Sequence, residues 1–230
     1  LRHRARGLKI GSLREWCRGL SARTEFIVVT VVGFSYFVAS SLVILLSGVR
    51  QFELTTSRLL RGTAVELLIL GAVAGFLHAR GWRPDRLGLR FSWGPAAAGV
   101  PLFIIYLLLY WVTATLLLLA VPAVRTVWVF KTTTHASYAL LLLFLIVNSF
   151  FEELMVTAYV VEALTSQGAA LAITASTLLR FGYHLYQGPL ASLSIIPLGL
   201  LFAMLYWRGR NVWPLIVAHT ITNVVVFSLD

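Results

Sequence analysis

Glu152 and Glu153 stand side by side in the stretch NSFFEELMVTAY, with YALLLLFLIV before it and VVEALTSQG after it. A carboxylate in so apolar a run is costly unless it is paired or faces a cavity, so such residues mark functional sites. Two later stretches carry the same signature. LLRFGYH places Arg180 and His184 four residues apart, and HTITN places His219 and Asn223 four apart. At 3.6 residues per turn each pair shares one helix face. In the first stretch the same period puts Asn148, Glu152 and Tyr159 on one stripe and Ser149, Glu153 and Thr157 on the next. The two carboxylates then share a broad face without pointing at one atom.

A buried carboxylate can be tuned to take a proton from water, and a histidine on a neighbouring helix can assist it. A second histidine and an amide can donate to a developing oxyanion. Together these residues describe water attacking a carbonyl: peptide hydrolysis with no covalent intermediate. Other hydrolytic constellations are missing. There is no HExxH and no Gly-x-Ser-x-Gly, and both aspartates, Asp85 and Asp230, fall outside the apolar runs. The single cysteine, Cys17, excludes an internal disulfide and a cysteine-rich metal site. No cofactor is called for, but zinc on Glu152, His184 and His219 stays open, since two histidines and a carboxylate can ligate it. Interhelical hydrogen bonding is the structural alternative for each pair taken alone.

The elements that hold these residues are membrane spans. Of 230 residues 59% are hydrophobic, and several runs approach the ~20 residues that cross a bilayer as a helix. The sequence predicts an all-α polytopic bundle of about seven transmembrane helices, at 25–48, 62–79, 94–121, 136–164, 169–187, 190–207 and 211–229. The last four form the active-site core around water. Residues 1–24 are a basic interfacial segment and 25–230 a single transmembrane domain. Leu8, Ile10, Leu13, Trp16 and Leu20 form the lipid-facing side of an amphipathic helix. The basic start does not read as a cleaved signal peptide.

The net charge of +10 belongs to loops between spans, which points to lipid headgroups and topology rather than nucleic acid. With seven spans, thirteen Lys/Arg fall on one side: Arg2, Arg4, Arg6, Lys9, Arg14, Arg18, Arg23, Arg80, Arg83, Arg86, Arg90, Arg208 and Arg210. The other side holds Arg50, Arg58, Arg61, Arg125 and Lys131. The bias puts the N-terminus in the cytoplasm and Asp230 outside. Trp16, Trp82, Trp93, Trp128, Trp207 and Trp213 lie near span ends as an aromatic belt. Glu66 and Glu162 sit close enough to span ends to reach the interface. Arg180 alone of the nineteen basic residues lies within a span.

In this order FFEELMVTAY, RFGYH and HTITN resemble the CAAX protease and bacteriocin-processing family, also called Abi. Its pattern is Glu-Glu-x-x-x-Arg, then Phe-x-x-x-His, then His-x-x-x-Asn or Asp. The resemblance covers about 136–229. It implies an intramembrane glutamic-type endopeptidase acting on a peptide or membrane-protein substrate in the bilayer. Glu152 would be the water-activating base with His184, Glu153 its supporting neighbour, and His219 and Asn223 the oxyanion donors. Two positions depart from the pattern. Thr157 stands where the family has arginine, and Arg180 where it has phenylalanine. Arg180 is therefore expected to reach across to Glu153 or Glu152, because an unpaired buried arginine is hard to tolerate. If it does not, the chain fits a non-catalytic scaffold or immunity-type binding protein of the same fold. A transporter is disfavoured by the lack of an inverted repeat. The Arg-, Leu-, Ala- and Val-rich composition fits a bacterial inner membrane.

Overall fold

The computed structural model describes residues 10–48, 51–121, 131–134 and 136–228. Arg2, Arg4, Arg6, Leu8, Lys9, Arg50, Arg125, Trp128 and Asp230 lie outside them. The chain is an integral membrane protein built as an all-α bundle.

A short amphipathic helix, α1 (Ile10–Gly19), precedes α2 (Ala22–Ser47). The Ser21 hydroxyl accepts from the Thr24 N–H to start α2, and Gly48 stops it with φ +69°. α3 (Thr56–Arg80) starts the same way, with Thr55 accepting from the Arg58 N–H. These are cap residues doing what short hydroxyl side chains and glycine do at helix ends. A connector with one 3-10 turn, Pro84–Leu87, leads to α4 (Trp93–Ala97) and α5 (Gly99–Ala120). Then come α6 (Tyr138–Glu152), α7 (Val160–Ala163), α8 (Ala169–His184), α9 (Pro189–Gly209) and α10 (Trp213–Ser228). Gly99 sets the approach of α5 to α10, since a Cβ there would lie 2.5 Å from Val217 Cβ and 2.7 Å from the Pro214 carbonyl.

Helices occupy all seven expected spans, and among the described residues five are long and apolar enough to cross a bilayer: Ala22–Ser47, Thr56–Arg80, Trp93–Ala120, Tyr138–Ala163 and Pro189–Gly209. The other two, α8 and α10, have 16 residues each. α8 ends at His184 in a 3-10 turn, Leu185–Gln187, whose Tyr186 N–H donates to Ser41 Oγ at 2.9 Å. Ser41 precedes the end of α2 at Ser47, so α8 turns back about 9 Å short of that end at 1.5 Å per residue. The sequence did not suggest one further feature. Strands β1 (Gln51–Leu54) and β2 (Lys131–Thr134) pair in parallel, Gln51 opposite Lys131. Parallel pairing needs a long crossover, and helices α3 to α5 supply it.

The basic segments meet at one end of the bundle. Arg80 donates to Glu25 at 2.6 Å and to the Cys17 and Arg18 carbonyls that end α1. Arg86 and Arg210 both pair with Glu162. The Val212 N–H donates to the Gly88 carbonyl, and Trp213 Nε1 to that of Leu89. Two expectations fail. Trp82 is not in a lipid-facing belt: it is buried against Tyr159, with the Arg86 guanidinium 3.8 Å from its ring centroid. Glu66 does not reach the interface either; it is 2% exposed and points into the bundle. Ten residues into α3, it lies about 15 Å from the helix start, too deep for so short a side chain to snorkel.

The main core joins the two halves of the chain. Val29 and Phe34 of α2 and Val73 and Leu77 of α3 share it with Phe151, Met155, Val156 and Val160.

Candidate active site

Glu152 closes α6, and Glu153 opens a π-helical segment, Glu153–Tyr159, before α7 resumes the α-helix. Such segments break the i→i−4 ladder and recur at functional positions. Here Ser176 of α8 donates its hydroxyl to the Val156 carbonyl at 2.8 Å, giving that carbonyl a partner from another helix. The junction of α6 with this segment carries two carboxylates inward, Glu152 at 7% exposure and Glu153 at 0%.

Their surroundings differ. Arg180 Nη2 donates to both oxygens of Glu153 at 2.8 Å. Thr157 Oγ1 donates to Oε2 at 2.8 Å, and His219 Nδ1 stands 2.7 Å from Oε1. A carboxylate offers about four lone-pair directions, so Glu153 is saturated. Arg180 also donates to Thr157 Oγ1 at 3.0 Å. Thus the threonine in the motif-one arginine position and the arginine in the motif-two phenylalanine position hold the same carboxylate together.

Glu152 is engaged on one side only. Its Oε2 accepts from the Tyr183 hydroxyl at 2.5 Å and from Arg180 Nη1 at 3.4 Å. Its Oε1 has no hydrogen bond among the described residues.

The histidines are oriented by their Nδ1 atoms. His184 Nδ1 lies 3.0 Å from the Arg180 carbonyl. A carbonyl only accepts, so Nδ1 carries the proton and the neutral ring offers a lone pair at Nε2. Ser192 fixes the end of α8 by donating to the His184 and Gly188 carbonyls at 2.9 and 2.7 Å. His219 Nδ1 donates to the Glu153 carboxylate, and its Nε2 has no hydrogen bond among the described residues.

Two expected members sit apart from this network. Asn223 Nδ2 donates to Ser149 Oγ at 3.2 Å, not to a glutamate. Asn148 turns to α3 and donates to Glu66 Oε1 at 2.8 Å. The other Glu66 oxygen is buried without a partner among the described residues. Tyr159, expected on the Glu152 stripe, instead packs against Phe26 and Trp82 with centroids 6.4 and 5.4 Å away. The π-segment is the reason: it advances the helix register between Glu152 and Tyr159.

Two polar residues of this region were not picked out from the sequence. Tyr183 lies between Gly182 and His184 and reads there as an apolar filler. Ser192 has no spacing relation to any motif. Glu66 was picked out, but as a residue of the interface.

Zinc fits poorly. The Arg180 guanidinium already stands 3.4 Å from Glu152 and would oppose a second cation there. Among the described residues no three His, Cys, Asp or Glu side chains are placed to share a metal ion.

No curated protein and no solved structure matches the chain. A family does match. Residues 134–225 fit the model described as Type II CAAX prenyl endopeptidase Rce1-like, a stretch that holds Glu152, Glu153, Arg180, His184, His219 and Asn223, so this part of the chain is similar to the CAAX protease family that its three motifs resemble.

Proposed function

We propose that the chain is an intramembrane endopeptidase of the glutamate type, acting on a peptide or membrane-protein substrate. One observation carries this reading: the adjacent carboxylates are treated differently, Glu153 saturated by Arg180, Thr157 and His219, Glu152 left with a free oxygen. Glu153 is an anchor. Glu152 is the base.

In this mechanism Glu152 Oε1 takes a proton from water, with the His184 Nε2 lone pair as the second acceptor that orients it. The water oxygen bonds to the scissile carbonyl carbon. The resulting oxyanion accepts from His219 Nε2–H, on a ring that Glu153 holds through Nδ1, and from the Asn223 amide. Asn223 spends one N–H on Ser149 and keeps one for the oxyanion. Glu152 then passes its proton to the leaving nitrogen as the C–N bond breaks. Tyr183 and Arg180 position the carboxylates.

The matching family is named for prenylated CAAX substrates, so a prenylated C-terminal peptide is the first probe. We also place the basic end of the bundle in the cytoplasm, by the excess of arginine there, in a bacterial inner membrane. The test is proteolysis by protein in nanodiscs, using a membrane-peptide library with prenylated members and a mass-spectrometric readout. Glu152→Gln and a chelator-treated sample run alongside. Cleavage that survives chelation and is lost in Glu152→Gln is expected. Cleavage retained in Glu152→Gln, or abolished by chelation, would overturn the assignment.

A further inference from the structure

A cavity of about 260 Å³ lies between α3, the connector and the π-helical segment, and none of the site residues lines it. Its walls are apolar: Leu70, Val73 and Leu77 from α3, Leu87 from the connector, Leu154 and Met155 from the π-segment. Its rim is different. His78, Arg83 and Pro84 contribute to it, all exposed, beside the exposed Ala74.

Arg83 is singled out by its neighbours. Arg80 is paired with Glu25, Arg86 with Glu162 and Arg90 with Asp85. The Arg83 side chain makes no hydrogen bond or ion pair among the described residues, although it shares the connector with the other two paired arginines and its charge is felt by Asp85. Tyr159 also lines the wall, but through other atoms than its hydroxyl, which is buried out of reach of the cavity.

We propose that this cavity binds one acyl chain of an anionic phospholipid from the surrounding bilayer, with the phosphate held by Arg83 and His78 at the rim. The occupant follows from the chemistry. The apolar interior takes a hydrocarbon chain, and the exposed Arg83 guanidinium sets the sign of the headgroup. The rim lies where α3 ends among the arginines, at the level of a headgroup layer. Through Leu154, Met155 and Tyr159 the chain touches the same helical segment that carries Glu153, so the lipid braces the anchor carboxylate from behind.

Lipid binding can be read without substrate, so it stands or falls separately from the hydrolytic assignment. The experiment is native mass spectrometry of the full chain released from detergent carrying equal phosphatidylglycerol and phosphatidylcholine. The wild type is expected to retain phosphatidylglycerol about fivefold in preference, the size expected for one arginine at an anionic surface. Arg83→Ala, at an exposed position, should abolish the preference while Arg83→Lys keeps it. Ala74→Trp, which fills the rim, should reduce retention of both lipids. Equal retention by the wild type, an unchanged preference in Arg83→Ala, or occupancy by a prenylated peptide and by neither phospholipid would overturn the proposal.

Discussion

Arg180 grips both oxygens of Glu153 from one nitrogen, at 2.8 Å each, across the contact between α8 and the π-helical segment. The pair is almost fully excluded from solvent, at 4% and 0% side-chain exposure. Removing either partner leaves the other charge buried alone. Arg180→Ala should therefore destabilise the protein by about 3–5 kcal/mol. Combining Arg180→Met with Glu153→Gln should recover much of that loss, because neither charge remains. Thermal unfolding in nanodiscs decides it; a harmless Arg180→Ala would show that the pair does not hold the site.

The two glutamates should separate by measurement. Glu152→Gln keeps the shape and leaves the Arg180–Glu153 pair in place, so melting temperature should hold while cleavage is lost. Glu153→Gln weakens the bonds from Arg180 and His219 and should lower both. Equal effects of the two substitutions on stability would contradict the division of labour.

Tyr183→Phe removes a 2.5 Å hydrogen bond to Glu152 Oε2 and little else. A hydrogen bond to a charged group contributes ~1.5–3 kcal/mol, which converts to a drop of about ten- to a hundredfold in kcat/KM. Stability should change little. A Tyr183→Phe enzyme with full activity would remove Tyr183 from the site.

Thr157 and Arg180 share one job, which suggests an exchange. Thr157→Arg alone puts a second guanidinium beside the first in a fully buried position and should destabilise the fold. Thr157→Arg with Arg180→Phe restores the pattern of the resembling family and should recover folding and cleavage together. Failure of the double variant where Thr157→Arg alone is tolerated would show that the positions are independent.

Glu66→Leu removes the partner of the Asn148 amide and should cost about 1–3 kcal/mol for the unmet donor. Glu66→Gln keeps an acceptor for that amide and should be close to neutral. Circular dichroism melts of the two variants make the comparison.

The motif residues were legible because polar groups at one-turn spacing stand out in apolar runs. Glu152, Glu153, Arg180, His184 and His219 do meet in space. What stayed hidden depends on distances along and between helices. A 3.6-residue period cannot reveal a π-segment, so Tyr159 was placed on the wrong face. Whether Glu66 reaches water depends on its depth and on α6 presenting Asn148, neither of which is written near Glu66. Tyr183 acts through its hydroxyl, yet its ring satisfies the apolar pattern. The strands β1 and β2 are four residues each, too short to carry an alternation.

The short reach of α8 has a consequence for the surrounding bilayer. The α-helical part of α8 has 16 residues, about 24 Å, against a hydrocarbon layer of ~30 Å. Lipid beside its exposed Leu171 and Leu178 is expected to thin to match it. The membrane would then be thinner next to the helix that carries His184. A polar peptide backbone approaching from that side crosses less hydrocarbon than it would elsewhere on the protein.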